Sequence, residues 1–159
     1  MSESLASVLR SLLLDRTTAT LATLADGRPA ASMIPFAVLL GADGLRLVTH
    51  VSGLAAHTRE MLDCPDVCLL VTAEASSDVM PQALARVSLP ARAAVVPHGH
   101  PDHDRMKQAY LAKFPDAADL FQLGDFVMVA FIPERARLVA GFARATTLTP
   151  EAVADTLGR

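Results

Sequence analysis

The sequence has few cysteines, no surplus of positive charge and no long apolar run. Its two cysteines, Cys64 and Cys68, are too few for the disulfide framework of a small secreted domain. The 14 basic residues against 17 acidic ones argue against a nucleic-acid-binding protein. No apolar run reaches the roughly 18 residues of a membrane span, and acidic Glu3 is not typical of a signal peptide. These absences predict a cytoplasmic protein without nucleic-acid or membrane partners.

What the sequence does have is apolar material. Hydrophobic residues make up 52% and charged residues 19%, which is enough for a core and too little charge for a disordered chain. At 159 residues, the length predicts a single domain over residues 1–159.

Short alternating segments separated by turn residues predict a mainly antiparallel β-protein. Helices are expected at 2–14, 52–62 and 101–114, with a last one opening at Thr149-Pro150. Strands are expected at 17–24, 30–40, 45–51, 67–73, 83–96, 125–132 and 137–143, with a bulge at Pro90. Because strands and helices do not alternate regularly, a small antiparallel barrel with helices at its ends fits better than a doubly wound sheet.

The segment from Thr49 to Arg59 concentrates polar chemistry where a strand runs into a helix. Ser52 is the expected N-cap, and a helix N-terminus presents free N–H groups and a positive dipole end, which suits a phosphate. The alternative is ordinary capping with solvated polar side chains.

Three further features leave alternatives open. Arg86 lies in an apolar segment, where it either points to solvent or binds an anion. Ser32 is a small polar residue on a strand face. His98, His100 and His103 surround prolines and a glycine, which favours a solvated loop over a metal site.

Four segments together resemble a known family. They are ATLATLADGRPAASMIPF, LRLVTHVSGLAAHTREMLDCPDVCLLV, LARVSLPARA and DFVMVAFIPERARLVAGFARA. They resemble the FMN-binding split β-barrel family related to pyridoxamine 5′-phosphate oxidase, in particular the branch containing the HugZ-type haem-utilisation proteins. The resemblance implies a six-stranded antiparallel split β-barrel with short flanking helices. It also implies a homodimer with two FMN molecules in the dimer crevice.

The resemblance places cofactor contacts on eight residues. They are Ser32, Met33, Thr49, His50, Ser52, His57, Thr58 and Arg86. The sequence departs from the oxidases at Ala56-His57, where they carry an Arg-Lys pair, so less fixed positive charge faces a phosphate. The oxidases' C-terminal substrate-binding pattern is also not evident, and oxidation of pyridoxamine phosphate is therefore not expected.

The resemblance implies an FMN-binding oxidoreductase acting on an unidentified small molecule. One alternative is a haem-binding or haem-degrading protein, whose axial ligand would come from His50, His57 or a histidine of the 98–103 loop. Another is a cofactor-less dimeric binding protein. The sequence does not decide between FMN and F420.

Overall fold

The computed structural model describes residues 4–142 and 144–158. Within them the helices are α1 (Leu5–Arg10), α2 (Ala56–Asp63), α3 (His103–Lys113) and α4 (Pro150–Gly158). The strands are β1 (Thr18–Ala25), β2 (Arg28–Pro35), β3 (Ala37–Gly41), β4 (Gly44–Ser52), β5 (Asp66–Thr72), β6 (Arg86–Val96), β7 (Phe126–Pro133), β8 (Ala136–Val139) and β9 (Ala145–Leu148). A π-helical turn spans Ser11–Asp15, a 3₁₀ turn spans Pro81–Ala83, and a longer 3₁₀ helix spans Pro115–Gln122. We call this last element the cover helix.

All nine strands of the described residues belong to one antiparallel sheet, in the order β2-β1-β5-β6-β7-β4-β3, with β8 and β9 attached beside β6. The edge strands β2 and β3 are joined by Phe36 alone. Two edges held one residue apart require the sheet to curl on itself. The Oγ1 of Thr49 on β4 donates to the carbonyl of Pro35 at 2.7 Å, and this bond holds the end of β2 against β4. The split-barrel fold is therefore confirmed, with more strands than six because Phe36 divides one predicted strand and two short strands follow β7.

Alternation along each strand directs one set of side chains into the barrel. The interior contains fully buried side chains from most strands, including Leu21, Leu47, Leu69, Leu89 and Phe131. The helix α1 and the π-helical turn after it close one end of the barrel together with α4, and the Arg10 guanidinium donates to the carbonyls of Thr156 and Leu157 at 2.9 Å each.

The outer surface of the sheet has two halves. The covered face is the outer side of β3, β4 and β7, where α3 and the cover helix pack on the sheet. Its buried apolar side chains include Leu39, Val48, Met128 and Ala130 from the sheet and Met106 and Tyr110 from α3. The bare face is the outer side of β2, β1, β5 and β6. The register aligns Ala31, Ala22, Cys68 and Pro90 across it in one row and Met33, Thr20, Leu70 and Ser88 in the next, all exposed or half-buried.

Two local predictions are wrong. The helix expected from Ser52 begins at Ala56, because β4 continues through Ser52 and the N-cap is Ala55. The bulge expected at Pro90 is absent, since β5 and β6 pair without a break through Cys68 and Pro90. The Pro90 carbonyl accepts from Glu134 beyond the end of β7. The missing N–H of Pro90 faces that same side, where no ladder is interrupted.

No helix in the described part of the chain is long and apolar enough to cross a membrane.

Candidate functional site

The end of β4 sends its predicted site residues in different directions. Thr49 points into the barrel, where it is fully buried and bonded to Pro35. His50 points outward beneath the cover helix, and Ser52 lies at the corner before α2. Because successive strand residues face opposite sides of a sheet, Thr49 and His50 cannot contact one bound molecule on the same face.

His50 lies in an aromatic enclosure on the covered face. Its ring stacks parallel to that of Phe121, with centroids 3.8 Å apart, and meets Phe126 at 5.1 Å and the edge of Tyr110 at 6.1 Å. The side chain is only 4% exposed, and its Nδ1 has no hydrogen-bond partner in the described structure. Burial lowers the pKa of His50 from 6.5 to about 4, so the imidazole is neutral at neutral pH.

The corner between β4 and α2 is built by hydrogen bonds among its own groups. Ser52 Oγ donates to Asp125 Oδ2 at 2.7 Å and accepts from the Leu54 amide at 3.1 Å. Thr58 Oγ1 donates to the Ser52 carbonyl at 2.7 Å. A Cβ on Gly53 would lie 2.8 Å from the Asp125 carbonyl oxygen, so this close approach requires glycine. Both predicted hydroxyls are thus engaged in shaping the corner.

His57 follows directly in the first turn of α2. Its Nε2 is buried and has no partner among the described residues. Burial lowers the pKa of His57, an effect that the Glu60 carboxylate partly opposes. Glu60 accepts a hydrogen bond from Thr23 Oγ1 of β1, which holds α2 against the barrel. The structure therefore presents a neutral imidazole whose ring nitrogen has no partner.

The remaining three predicted residues divide between the two sides of the sheet. Ser32 shares the inward face of β2 with buried Ile34, and its Oγ is buried without a described partner. Met33 is on the bare face and 67% exposed. Arg86 also faces outward, beside Ser88, and its guanidinium donates to the carbonyls of Leu84 at 3.0 Å and Gln82 at 3.4 Å.

Three of the eight predicted residues share one unusual property. Ser32 Oγ, His50 Nδ1 and His57 Nε2 are the buried side-chain polar atoms without a hydrogen-bond partner among the described residues. Such atoms are uncommon in folded proteins, because each costs about 1–3 kcal/mol relative to a bonded one. Their coincidence with the predicted set marks these positions as unusual, although they do not converge on one point.

Sequence reasoning missed the groove on the bare face. It has a volume of about 480 Å³, and its lining combines small or apolar residues such as Ala22, Pro29 and Pro90 with the acidic residues Asp66 and Glu134. The sequence signal that could have predicted the groove is the presence of small or apolar residues at outward-facing positions of β1, β2 and β6. Burial raises the pKa of the Cys68 thiol, which makes this cysteine a poor nucleophile.

The histidine loop before α3 forms no metal site in the part of the chain that the structure describes. The His98 and His103 rings lie 4.5 Å apart, and His100 accepts a hydrogen bond from the Asp102 amide. His98 and His100 are exposed, as expected for a solvated loop, but His103 is buried at the start of α3, where that expectation is wrong.

Comparison with known proteins identifies the family. The sequence profile described as pyridoxamine 5′-phosphate oxidase matches residues 5–140. The chain belongs to this family. Among curated proteins, the non-canonical haem oxygenase HOZ of Arabidopsis thaliana chloroplasts is 34% identical over 120 residues, which cover 76% of this chain and 34% of that protein.

Two solved structures of this oxidase-like family extend the comparison. A haem-binding protein from Mycobacterium smegmatis has a TM-score of 0.80 and 31% identity, covering 98% of this chain and 62% of that one. HutZ, the haem storage protein of Vibrio cholerae, has a TM-score of 0.68 and 26% identity, covering 79% and 85%. The resemblance to the haem-utilisation branch is confirmed. The chain spans about a third of the chloroplast protein and less than two thirds of the mycobacterial one.

The corner between β4 and α2, as the structure shows it, does not fit the phosphate of FMN. The Ser52 hydroxyl of this chain donates to the Asp125 carboxylate, and that carboxylate would repel a phosphate. Ala56 and His57 provide no fixed cation there, and Arg59, one turn further along α2, is exposed. A phosphate would require Asp125 to turn away.

Proposed function

We propose that this chain is a haem-binding protein of a haem-utilisation or haem-degradation system. The observation that carries the proposal is the family relationship, since the relatives at 34% and 31% identity are both named for haem. The chain covers only part of each, so the proposal is for haem binding first and for degradation as its extension.

The described residues fit haem better than FMN. Haem needs an axial ligand with a free lone pair, and His57 Nε2 has no partner in the described structure; because this atom is buried, haem binding would require the side chain or α2 to move. His57 lies on α2, which packs on β1 through the inward-facing Thr23, and His57 does not line the groove of the bare face. Arg86, and Arg137 opposite Ser88 in the register, lie beside this face and would supply positive charge for the propionates.

Bound haem would supply the iron-centred redox chemistry. The contributions of the chain itself are simpler: His57 would bind the iron, and Arg86 and Arg137 would pair with the propionates. His50 is a poor candidate for the axial ligand, because Phe121 covers its ring.

Titration with hemin tests the proposal. The purified protein should develop a Soret band that saturates at one haem per chain, and His57→Gln should weaken binding at least tenfold and shift the band. His100→Gln is the matched control, because His100 is an exposed histidine of the loop before α3. An unchanged spectrum in His57→Gln would refute the ligand assignment, and no Soret band in the unaltered protein would refute haem binding.

FMN is the second candidate cofactor, favoured by the match to the oxidase family. The corner chemistry predicts weak FMN binding that Asp125→Asn strengthens, because the substitution removes the repelling carboxylate. Quenching of flavin fluorescence measures it. Tight binding by the unaltered protein, with no response to hemin, would restore the FMN-dependent oxidoreductase as the better hypothesis.

A further inference from the structure

The cover helix is attached to the barrel by few interactions. It has no side-chain hydrogen bond at its N-terminus and no fully buried residue. Ala117 and Phe121 are the side chains of the helix that pack against the cluster beneath it, whereas Leu120 and Leu123 are 39% and 45% exposed. The backbone hydrogen bonds at its two ends, from Ala117 to Phe114 and from Leu123 to Leu120, are local. The helix can therefore move away without breaking a strand pairing.

Phe121 of the cover helix contacts the imidazole ring of His50, which can gain a proton. Phe121 stacks on His50 at 3.8 Å with the two planes 2° apart. His50 is buried, and its Nδ1 has neither a protein partner in the described structure nor exposure to solvent. An added proton would place a charge in an enclosure of aromatic rings that offers Nδ1 no acceptor.

The titratable groups that act electrostatically on His50 all disfavour its protonation. They are His103 and Lys107 of α3 and His98 of the preceding loop. Lys107 Nζ also lies 4.7 Å from the centroid of the Phe121 ring. The acidic side chains of the neighbouring elements contribute no resolved opposing charge at His50: they are Asp104 of α3, Asp116 and Asp119 of the cover helix, and Asp125 before β7.

We propose that the cover helix is an acid-released lid over His50. When the lid is closed, Phe121 seals a neutral imidazole. On protonation the lid moves outward, the imidazolium becomes hydrated, and the rings of Tyr110 and Phe126 are uncovered beside it. This mechanism uses only residues of the covered face and is independent of any cofactor on the bare face.

The direction of the pH dependence follows from linkage. The pKa of His50 is about 4 in the closed form, against 6.5 for an unhindered histidine. The closed form is fully favoured above pH 6.5 and loses its advantage as the pH falls toward 4. At pH 5 this difference raises the open-to-closed ratio about 20-fold over its value at pH 7.

A single fluorescent reporter tests the lid, because the chain contains no tryptophan. In Phe121→Trp, the emission of the introduced indole should shift to the red, reversibly, between pH 6.5 and pH 4.5, while far-UV circular dichroism stays constant. Adding His50→Phe keeps a ring in the stack but removes the titrating group, so the shift should disappear. The proposal is overturned if emission does not change, if the shift persists with His50→Phe, or if circular dichroism changes with it.

Hydrogen exchange of the unaltered protein provides a second test that needs no variant. After correction for the intrinsic effect of pH, peptides covering residues 114–124 should lose protection between pH 7 and pH 5, while those from β4 and β7 retain it. Equal protection of residues 114–124 at both pH values would overturn the lid.

Discussion

The covered and bare faces belong to one continuous sheet yet carry different kinds of side chain. The covered face has large, flexible apolar residues such as Met128, which fit against Met106 and Tyr110 of α3. The central row of the bare face has Ala31, Ala22, Cys68 and Pro90. Large side chains fill the irregular space under a helix, whereas small ones leave a flat surface. The central row is therefore low, whereas Met33 and Leu70 project from the row beside it, and we propose that this face meets a second copy of the chain.

The largest expected effect comes from the same substitution on the two faces. Met106→Ala removes a fully buried side chain of the covered face and should lower the free energy of unfolding by about 2–5 kcal/mol. Met33→Ala removes a 67% exposed one from the bare face and should change the stability of the monomer by less than about 0.5 kcal/mol. Urea denaturation measures both. Similar values for the two variants would contradict the division into covered and bare faces.

The homodimer remains a prediction, and the bare face is the surface we propose for it. We expect β7 to contribute little to the dimer interface, because α3 and the cover helix already cover most of its outer side. Ile132, at the end of β7, is 46% exposed. Ala22→Glu would place a charge in the central row and should weaken dimerisation at least tenfold in sedimentation analysis. Leu62→Glu, at a 63% exposed position on α2, is the control and should leave the dimer intact. Dimers unaffected by Ala22→Glu would assign the interface elsewhere.

The smallest effect concerns the C-terminal end of α3. Lys113 donates to the Arg16 carbonyl at 2.5 Å and lies 4.3 Å from the Phe36 ring, and burial lowers its pKa from 10.5 to about 8. The folded protein binds this proton less tightly than the unfolded chain. Stability should therefore rise with pH between about 8 and 10.5; solvent screening of this partly exposed amine reduces the slope from about 1.4 kcal/mol per pH unit, the value for a full proton, to less than about 1. Lys113→Met should lack this rise in urea titrations at pH 7.5 and pH 10; an equal rise in both proteins would refute it.

Local sequence patterns were sufficient for some elements and not for others. The β1–β2 hairpin was predictable because the pair Asp26-Gly27 is typical of a two-residue turn. That turn requires positive φ values, and the two residues have 51° and 73°. The start of α2 was not, because Ser52 bonds to Asp125, which is 73 residues away in the sequence. No local pattern contains that contact.

The candidate site was predictable as a set of positions but not as an arrangement. Family resemblance selected Ser32, His50 and His57, whose unpartnered atoms set them apart in the structure. Their separation onto different surfaces depends on the direction of each side chain and on which face a helix covers. The cover helix is not among the helices expected from the sequence, so the sequence offered no reason to place His50 beneath it.

The single residue that joins β2 to β3 gives the barrel a mechanical property. Phe36 is fully buried, and its amide donates to the Thr17 carbonyl at 3.2 Å, so the link is anchored at its midpoint. The edge strand of the bare face, β2, and the edge strand of the covered face, β3, are therefore joined without a flexible linker. We therefore expect a molecule that shifts β2 along its length to shift β3 as well, unless Phe36 holds the link in place.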